Sequence, residues 1–275
     1  MTFWSAVFTG IVYGLTELFP VSGSGHLSIL SHLFKISISD HYLFYALMQF
    51  AVIVAICVSF WEDIVVMFYE LMAVGGRGPL AGTGKKHYPH ARLFIMVIIS
   101  TVMIALVIPV AGIMEKLSDN SFFVGVAIFL SGLCSFIFDK FDAGNKSEKN
   151  MSFADALIIG LCQCVSCLPG MSRTALTMTA GAATGLNKNF ALRYSFLLAV
   201  PALFASFVRN LVKGISQGIL WADFAPYLAG TVAALLAAYG AGRLLRRVVE
   251  KHNFRAFSYY CWVMGVLSII LAFIF

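Results

Sequence analysis

The stretch GLTELFPVSGSGHLSIL, residues 14–30, places a glutamate, a histidine and several serines and glycines around one proline, inside a chain that is otherwise strongly apolar. Of the 275 residues, 60% are hydrophobic and 12% are charged. Soluble domains carry about twice that share of charge, so the chain is an integral membrane protein. Ionisable residues are costly inside a membrane, and this stretch therefore predicts a functional site.

Six further segments are long, apolar runs. A helix needs about 18 or more apolar residues to cross a hydrocarbon core of about 30 Å. The runs are unbroken rather than alternating, which favours helices over the strands of a β-barrel. The prediction is an all-α, polytopic protein with six transmembrane helices, at roughly 41–60, 93–113, 121–138, 190–208, 225–242 and 257–275.

Two segments do not fit the spanning pattern. Phe3 to Phe34 is interrupted by FPVSGSGH, and Phe153 to Leu186 is interrupted by LPGMSRT. Each reads as a helix, a polar turn and a shorter helix, and a helix such as 27–34 is too short to cross the membrane. We predict two re-entrant helical hairpins, because irregular backbone at membrane depth is tolerated where protein surrounds it.

The order of these segments predicts a duplication. A hairpin and three spans fill residues 1–138, and a second hairpin and three spans fill residues 151–275. Because three spans are an odd number, the second copy enters the membrane from the opposite side, as in the inverted-topology repeats of many transporters. The tips of the two hairpins are then expected to meet near the middle of the membrane.

The net charge of +6 comes from 19 lysines and arginines that lie mostly in short connections. This distribution indicates membrane topology rather than nucleic-acid binding, and the positive-inside rule places both termini on the outer side. The connection 61–92 has the glycines and lysines of a phosphate loop but not the spacing, so we expect a flexible cytoplasmic linker. The N-terminus has no basic region and no cleavage motif typical of a signal peptide.

Glu17 and Arg173 are the strongest candidates for chemistry. Glu17 precedes Pro20 at the first break, and Arg173 follows Pro169 at the second. If the tips meet, a carboxylate and a guanidinium face one cavity; the alternative is that the two charges only neutralise each other. A helix N-terminus with hydroxyls and an arginine can bind phosphate.

The polar residues near the breaks define the candidate site. His26 is a candidate nucleophile or acid–base group. Glu17 suits a hard cation, Mg²⁺ or Ca²⁺, which would bridge to phosphate oxygens. Gln49 lies in an apolar run, where it either bonds to another helix or faces the cavity. The residues taken as catalytic are Glu17, His26 and Arg173, with Glu17 also the metal ligand, and those taken as substrate-binding are Tyr13, Ser22, Ser24, Gln49, Ser172, Thr174 and Thr177.

Two motifs carry a family resemblance. GLTELFPVSGSGHL and DALIIGLCQCVSCLPGMSRTALT, in this order and separation, resemble the undecaprenyl-diphosphate phosphatases, the bacitracin-resistance membrane phosphatases. The resemblance implies removal of the terminal phosphate of a C55 isoprenoid diphosphate on the outer side of the bacterial plasma membrane, which recycles the carrier lipid of cell-wall synthesis. It also implies Mg²⁺ or Ca²⁺ as cofactor.

Three positions depart from the family pattern. Tyr13 stands at the first acidic or amide position of E/Q-x-x-x-E, Gly23 replaces a serine of P-V-S-S-T-G-H, and Thr174-Ala175 replaces Ser-Gly in S-R-S-G. Tyr13 lies four residues before Glu17 on one helix face and can still reach the site, but a phenol does not supply a second negative charge. We therefore expect weaker metal binding, with His26 or an activated water as nucleophile.

Two functions follow from these observations. The first is hydrolysis of undecaprenyl diphosphate, and the alternative is a catalytically weakened relative that transports a polyprenyl phosphate, which an inverted repeat would suit. The expected partners are a polyprenyl diphosphate lipid, membrane lipids and a second copy of the chain, with no nucleic acid.

Overall fold

A computed structural model describes residues 1–34, 40–79, 88–118, 120–142, 144–218, 223–251 and 253–274. Within these ranges the chain is all-α, and six helices are long and apolar enough to span a membrane. The six predicted spans are thus confirmed. They are α3 (Tyr42–Ser59), α5 (Pro89–Val102) with its 3₁₀ continuation Met103–Val110, α7 (Ser121–Lys140), α10 (Lys188–Ser216), α11 (Phe224–Glu250) and α12 (Arg255–Ile274).

The remaining helices in the described ranges are shorter. Two of them flank the first predicted break and two flank the second. They are α1 (Phe3–Leu18), α2 (Gly23–Phe34), α4 (Trp61–Val74), α6 (Ala111–Ser118), α8 (Phe153–Val165) and α9 (Arg173–Ala183).

Both breaks lie where the sequence predicts them, and each contains a proline. Proline has no N–H to donate and disfavours helical geometry in the residue before it, and Phe19 before Pro20 is accordingly extended, with ψ of 150°. The chain then turns through left-handed backbone, at Ser22 with φ of 74° and at Gly170 with φ of 88°. The breaks are part of the fold, while the re-entrant course of the hairpins stays a prediction.

The connection 61–92 differs from the flexible linker that we expected. Its first half is helix α4, and residues 80–87 lie outside the described ranges. The buried carboxylate of Glu70 in α4 accepts hydrogen bonds from the backbone N–H groups of His90, at 2.6 Å, and Ala91, at 3.1 Å. Glu70 thereby satisfies the free N–H groups at the start of α5, which favours an ordered α4.

Small residues let the site-bearing helices approach their neighbours closely. Helix α1 packs along α11, where Gly10 meets the backbone of Gly230, and α7 packs along α12, where Gly125 meets Gly265. Helix α3 packs against α10, and α8 against α5. Such small-residue contacts replace the hydrophobic driving force that helices lack in lipid. The division into repeats 1–138 and 151–275 remains a prediction.

The α1–α11 contact can be tested with a matched pair of substitutions in α11. A Cβ at Gly230 would lie 2.6 Å from the Ala6 carbonyl oxygen and the Phe44 ring, whereas a Cβ at Gly240 meets nothing within 4 Å. Alanine favours a helix over glycine equally at both positions. We expect Gly230→Ala to destabilise the protein by about 1–3 kcal/mol through overpacking.

Thermal unfolding in detergent measures the difference. Gly240→Ala is the control, and it should leave the melting temperature unchanged or raise it slightly. Equal melting temperatures for the two variants would contradict the close approach of α1 and α11.

Candidate functional site

The first turn is built around Ser22. Its hydroxyl accepts a hydrogen bond from the backbone N–H of Gly25 at 3.1 Å, which caps the start of α2. Its carbonyl oxygen lies 2.7 Å from Nδ1 of His26. Both residues are buried, so the local geometry of the turn determines where the imidazole points.

The second turn leads into the N-terminus of α9. The Ser172 hydroxyl caps this helix by accepting from the N–H of Ala175 at 3.3 Å. Thr177 donates to the carbonyl oxygen of Arg173 at 2.8 Å and shares a 2.6 Å hydrogen bond with Ser195 of α10. Ser172, Thr174 and Thr177 are all buried. This turn therefore presents hydroxyls and a helix N-terminus beside one arginine.

The two turns meet directly, although they are more than 140 residues apart in sequence. Nη2 of Arg173 lies 3.2 Å from Oε1 of Glu17, and the Ser24 hydroxyl accepts from the N–H of Gly170 at 3.3 Å. The side chain of Glu17 is 11% exposed and that of Arg173 is 23% exposed. The two charges therefore pair in this structure, and both side chains are partly accessible.

Helix α7 supports both turns through two serines. The Ser131 hydroxyl accepts from the backbone N–H of Ser172 at 2.7 Å. Its single proton is shared between the carbonyl oxygens of Ala127, at 2.9 Å, and Gly170, at 3.3 Å. One turn along the helix, the Ser135 hydroxyl shares its proton between the carbonyl oxygens of Pro20, at 3.3 Å, and Ser131, at 3.2 Å. Polar backbone groups freed by the helix breaks would otherwise lie unpaired in the protein interior, at a cost of several kcal/mol in total.

Tyr13 lies on the same face of α1 as Glu17. It is 3% exposed and lies near the Gln49 side chain and the charged groups of Glu17 and Arg173. The Gln49 amide oxygen in turn accepts from the Asn210 side chain at 3.0 Å. Gln49 thus makes the interhelical hydrogen bond that we considered, between α3 and α10.

Gly23 explains the position of the Glu17 carboxylate. A Cβ at residue 23 would overlap the carboxylate oxygen Oε2 of Glu17. With a side chain at this position, Glu17 would have to move. The glycine that departs from the family pattern therefore provides the space in which Glu17 reaches Arg173.

His26 is held by hydrogen-bond partners at both of its ring nitrogens. Its two ring nitrogens contact the Ser22 carbonyl oxygen and, at 2.8 Å, the hydroxyl of Tyr260 in α12. Sequence reasoning missed Tyr260, because 234 residues separate it from His26 and the tyrosine lies in an ordinary apolar run. Sequence reasoning also missed Ser131 and Ser135, because their contacts with the two turns depend on how α7 packs.

The donor set allows one carboxylate ligand for a cation. Within the described part of the chain, no group of three or more His, Cys, Asp or Glu residues could hold a metal ion. Glu17 supplies one carboxylate, and Tyr13 is a phenol. A hard cation at this position would need phosphate oxygens or water for its remaining ligands, which is a common arrangement for Mg²⁺.

Comparisons with known proteins agree with the motifs. The sequence matches the family described as bacitracin resistance protein BacA over residues 6–267. It is 30% identical to an undecaprenyl-diphosphatase of Halothermothrix orenii, with 100% of each chain covered. It is 32% identical to undecaprenyl-diphosphatase 1 of Streptomyces avermitilis, over 95% of this chain and 93% of that protein. The undecaprenyl-diphosphatase 3 of Frankia casuarinae is also 32% identical, over 98% of this chain and 97% of that protein.

Proposed function

The chain belongs to the BacA family of bacitracin-resistance proteins, and from this membership we propose that it dephosphorylates undecaprenyl diphosphate to undecaprenyl phosphate. The observation that carries the proposal is the contact between Glu17 and Arg173, which joins an anion-binding turn to a cation-binding one. A diphosphate with its counter-ion has the complementary pair of charges. The site lies in a multi-pass membrane protein, where a lipid-linked substrate can reach it.

The second turn is the phosphate-binding half of the site. Arg173 supplies a guanidinium that can bind two phosphate oxygens at once. The N-terminus of α9 adds backbone N–H groups and the positive end of the helix dipole. The hydroxyls of Ser172, Thr174 and Thr177 lie on this turn or in the first turns of α9 and can donate once they exchange their present partners.

Substrate binding requires an exchange of partners at the charged pair. Without ligand, Glu17 neutralises Arg173, so neither charge is left alone in an environment of low dielectric. A diphosphate competes for the guanidinium and releases the Glu17 carboxylate. Glu17 is then free to bind the cation that accompanies the phosphates.

We propose Mg²⁺ or Ca²⁺ as that cation, held by Glu17 together with oxygens of the substrate. When bound, the ion would neutralise charge on the phosphates. The site fits such an ion through one carboxylate, and Tyr13 lowers the charge available compared with the family pattern. We keep Tyr13 and Gln49 as polar residues of the substrate-binding site, because Tyr13 lies near both Glu17 and the Gln49 side chain.

His26 provides the reactive nitrogen. The reaction breaks the bond between the terminal phosphorus and the bridging oxygen, and the products are undecaprenyl phosphate and inorganic phosphate. His26 either attacks the phosphorus, giving a phosphohistidine that water hydrolyses, or takes a proton from the attacking water. Ser22 holds the imidazole, and Ser24 joins the first turn to the second.

Hydrolysis is favoured over transport. The relatives carry the name of a phosphatase, and the departures Tyr13, Gly23 and Ala175 leave Glu17, His26 and Arg173 in place.

We place the site at the outer face of the plasma membrane, where the family recycles its lipid carrier. The support is the positive-inside rule. Lysines and arginines cluster at the ends of the spans that we assign to the cytoplasm, including Arg92, Lys140, Lys188 and Arg243 to Arg247. Both termini then lie outside, and a second copy of the chain is a further expected partner.

The proposed function predicts phosphate release from undecaprenyl diphosphate by the purified protein in the presence of Mg²⁺ or Ca²⁺. Glu17→Ala, His26→Ala and Arg173→Ala should each lower the rate by about 100-fold or more, the usual scale for loss of an acid–base or charge-stabilising group. Gly240→Ala, at an exposed position of α11, is the control and should retain full activity. Phosphate release that does not exceed the level of the three variants would contradict the phosphatase function.

A second prediction concerns Tyr13 and the cation. Tyr13→Glu restores a second carboxylate beside Glu17, and the metal concentration for half-maximal activity should fall roughly 10-fold, because ligand charge sets affinity for hard cations. Tyr13→Gln is the matched control, since it is polar but uncharged. If both variants need the same metal concentration, charge at residue 13 does not limit metal binding.

A further inference from the structure

We infer that Tyr260 is a positioning residue for His26, which extends the proposed function by naming the group that orients its reactive nitrogen. Nδ1 of His26 lies 2.7 Å from the Ser22 carbonyl oxygen, and Nε2 lies 2.8 Å from the Tyr260 hydroxyl. A carbonyl oxygen only accepts hydrogen bonds, so Nδ1 carries the proton. In the neutral imidazole, Nε2 is therefore the unprotonated nitrogen, and Tyr260 donates to it.

Either role proposed for His26 uses this lone pair on Nε2. Attack on phosphorus needs it directed at the substrate, and general-base catalysis needs it directed at water. The bonds to Ser22 and Tyr260 hold opposite sides of the ring and fix its rotation. Partners of this kind determine the tautomer and orientation of functional histidines elsewhere.

The position of Tyr260 is itself fixed by its neighbours in α12. Phe257 packs on Phe19 with ring centroids 5.1 Å apart, and the Cys261 thiol lies 3.7 Å from the Pro20 carbonyl oxygen. Together with the bond between Tyr260 and His26, these two contacts hold this part of α12 against the first turn and the start of α2. The Tyr260 ring is also nearly parallel to the imidazole, with an interplanar angle of 5°.

The different exposures of His26 and Tyr260 indicate how the substrate can displace the Tyr260 hydroxyl from His26. His26 is 4% exposed, whereas Tyr260 is 43% exposed. Tyr260 thus covers Nε2 on an open side of the protein, where its side chain has room to move. The phosphate or the attacking water takes the place of the phenol at Nε2 as the reaction begins, while Ser22 keeps the proton on Nδ1. Tyr260 therefore acts before that step, by keeping the imidazole turned so that the Nε2 lone pair faces the substrate.

The adjacent tyrosine supplies a matched control. Tyr259 is 54% exposed and packs on Trp262, not on His26. Tyr260→Phe removes the hydroxyl and keeps the ring, so kcat should fall roughly 10-fold, the lower end of the losses seen when the partner that orients a metal-binding histidine is removed. KM should stay within about twofold, because the phosphate-binding turn is unchanged. Tyr259→Phe should leave both constants unchanged.

Nuclear magnetic resonance of histidine labelled with ¹⁵N gives a readout independent of activity. His26→Ala identifies the signals of His26 among the six histidines. In the unmodified protein we expect a protonated Nδ1 and an unprotonated, hydrogen-bonded Nε2. In Tyr260→Phe the Nε2 signal should move toward that of a free nitrogen, with no such movement in Tyr259→Phe.

The outcomes separate this inference from the proposed function. The opposite tautomer in the unmodified protein, or an Nε2 signal and kcat that Tyr260→Phe leaves unchanged, would overturn the role of Tyr260. A protein without phosphatase activity would instead contradict the proposed function, and the spectra would still decide whether Tyr260 holds His26.

Discussion

The ion pair between Glu17 and Arg173 is the constraint on which the rest of the structure depends. Each charge comes from a different broken helix, and an unpaired charge in a poorly hydrated interior costs several kcal/mol. The two turns therefore have to meet. The serines of α7 fasten both turns, and the close α1–α11 contact at Gly10 lets α1 carry Glu17 to this position. In the proposed function, the same pair exchanges partners with a charged ligand.

Much of the fold could be predicted from the sequence, because hydrophobic runs of spanning length carry their own signal. Pro20 and Pro169 likewise mark the helix breaks locally. Helix α4 was not predicted, since its order depends on Glu70 reaching the start of α5, a contact that no local pattern reveals. The described fold is thus predictable where hydropathy decides and unpredictable where one side chain satisfies a distant backbone.

In the candidate site, too, residues with a local sequence signal could be predicted and residues that depend on distant contacts could not. Motif residues such as Glu17, His26 and Arg173 stand out as ionisable groups in apolar surroundings, and the structure brings Glu17 and Arg173 together. Tyr260 and Ser131 do not stand out, because hydroxyl residues are common in membrane helices and their partners lie far away in sequence. Two departures from the family pattern also gain a physical meaning: Gly23 makes room for the Glu17 carboxylate, and Tyr13 is a buried polar neighbour of Glu17 and Gln49.

Calorimetric binding of inorganic pyrophosphate measures whether a phosphate ligand takes the place of Glu17 at Arg173. Without divalent cations, Glu17→Gln should bind pyrophosphate more tightly than the unmodified protein, because Arg173 no longer has a competing carboxylate. With Mg²⁺ the order should reverse, since only the unmodified protein retains the carboxylate for the cation. Equal affinities of the two proteins under both conditions would show that Glu17 neither competes with the phosphates for Arg173 nor binds the cation.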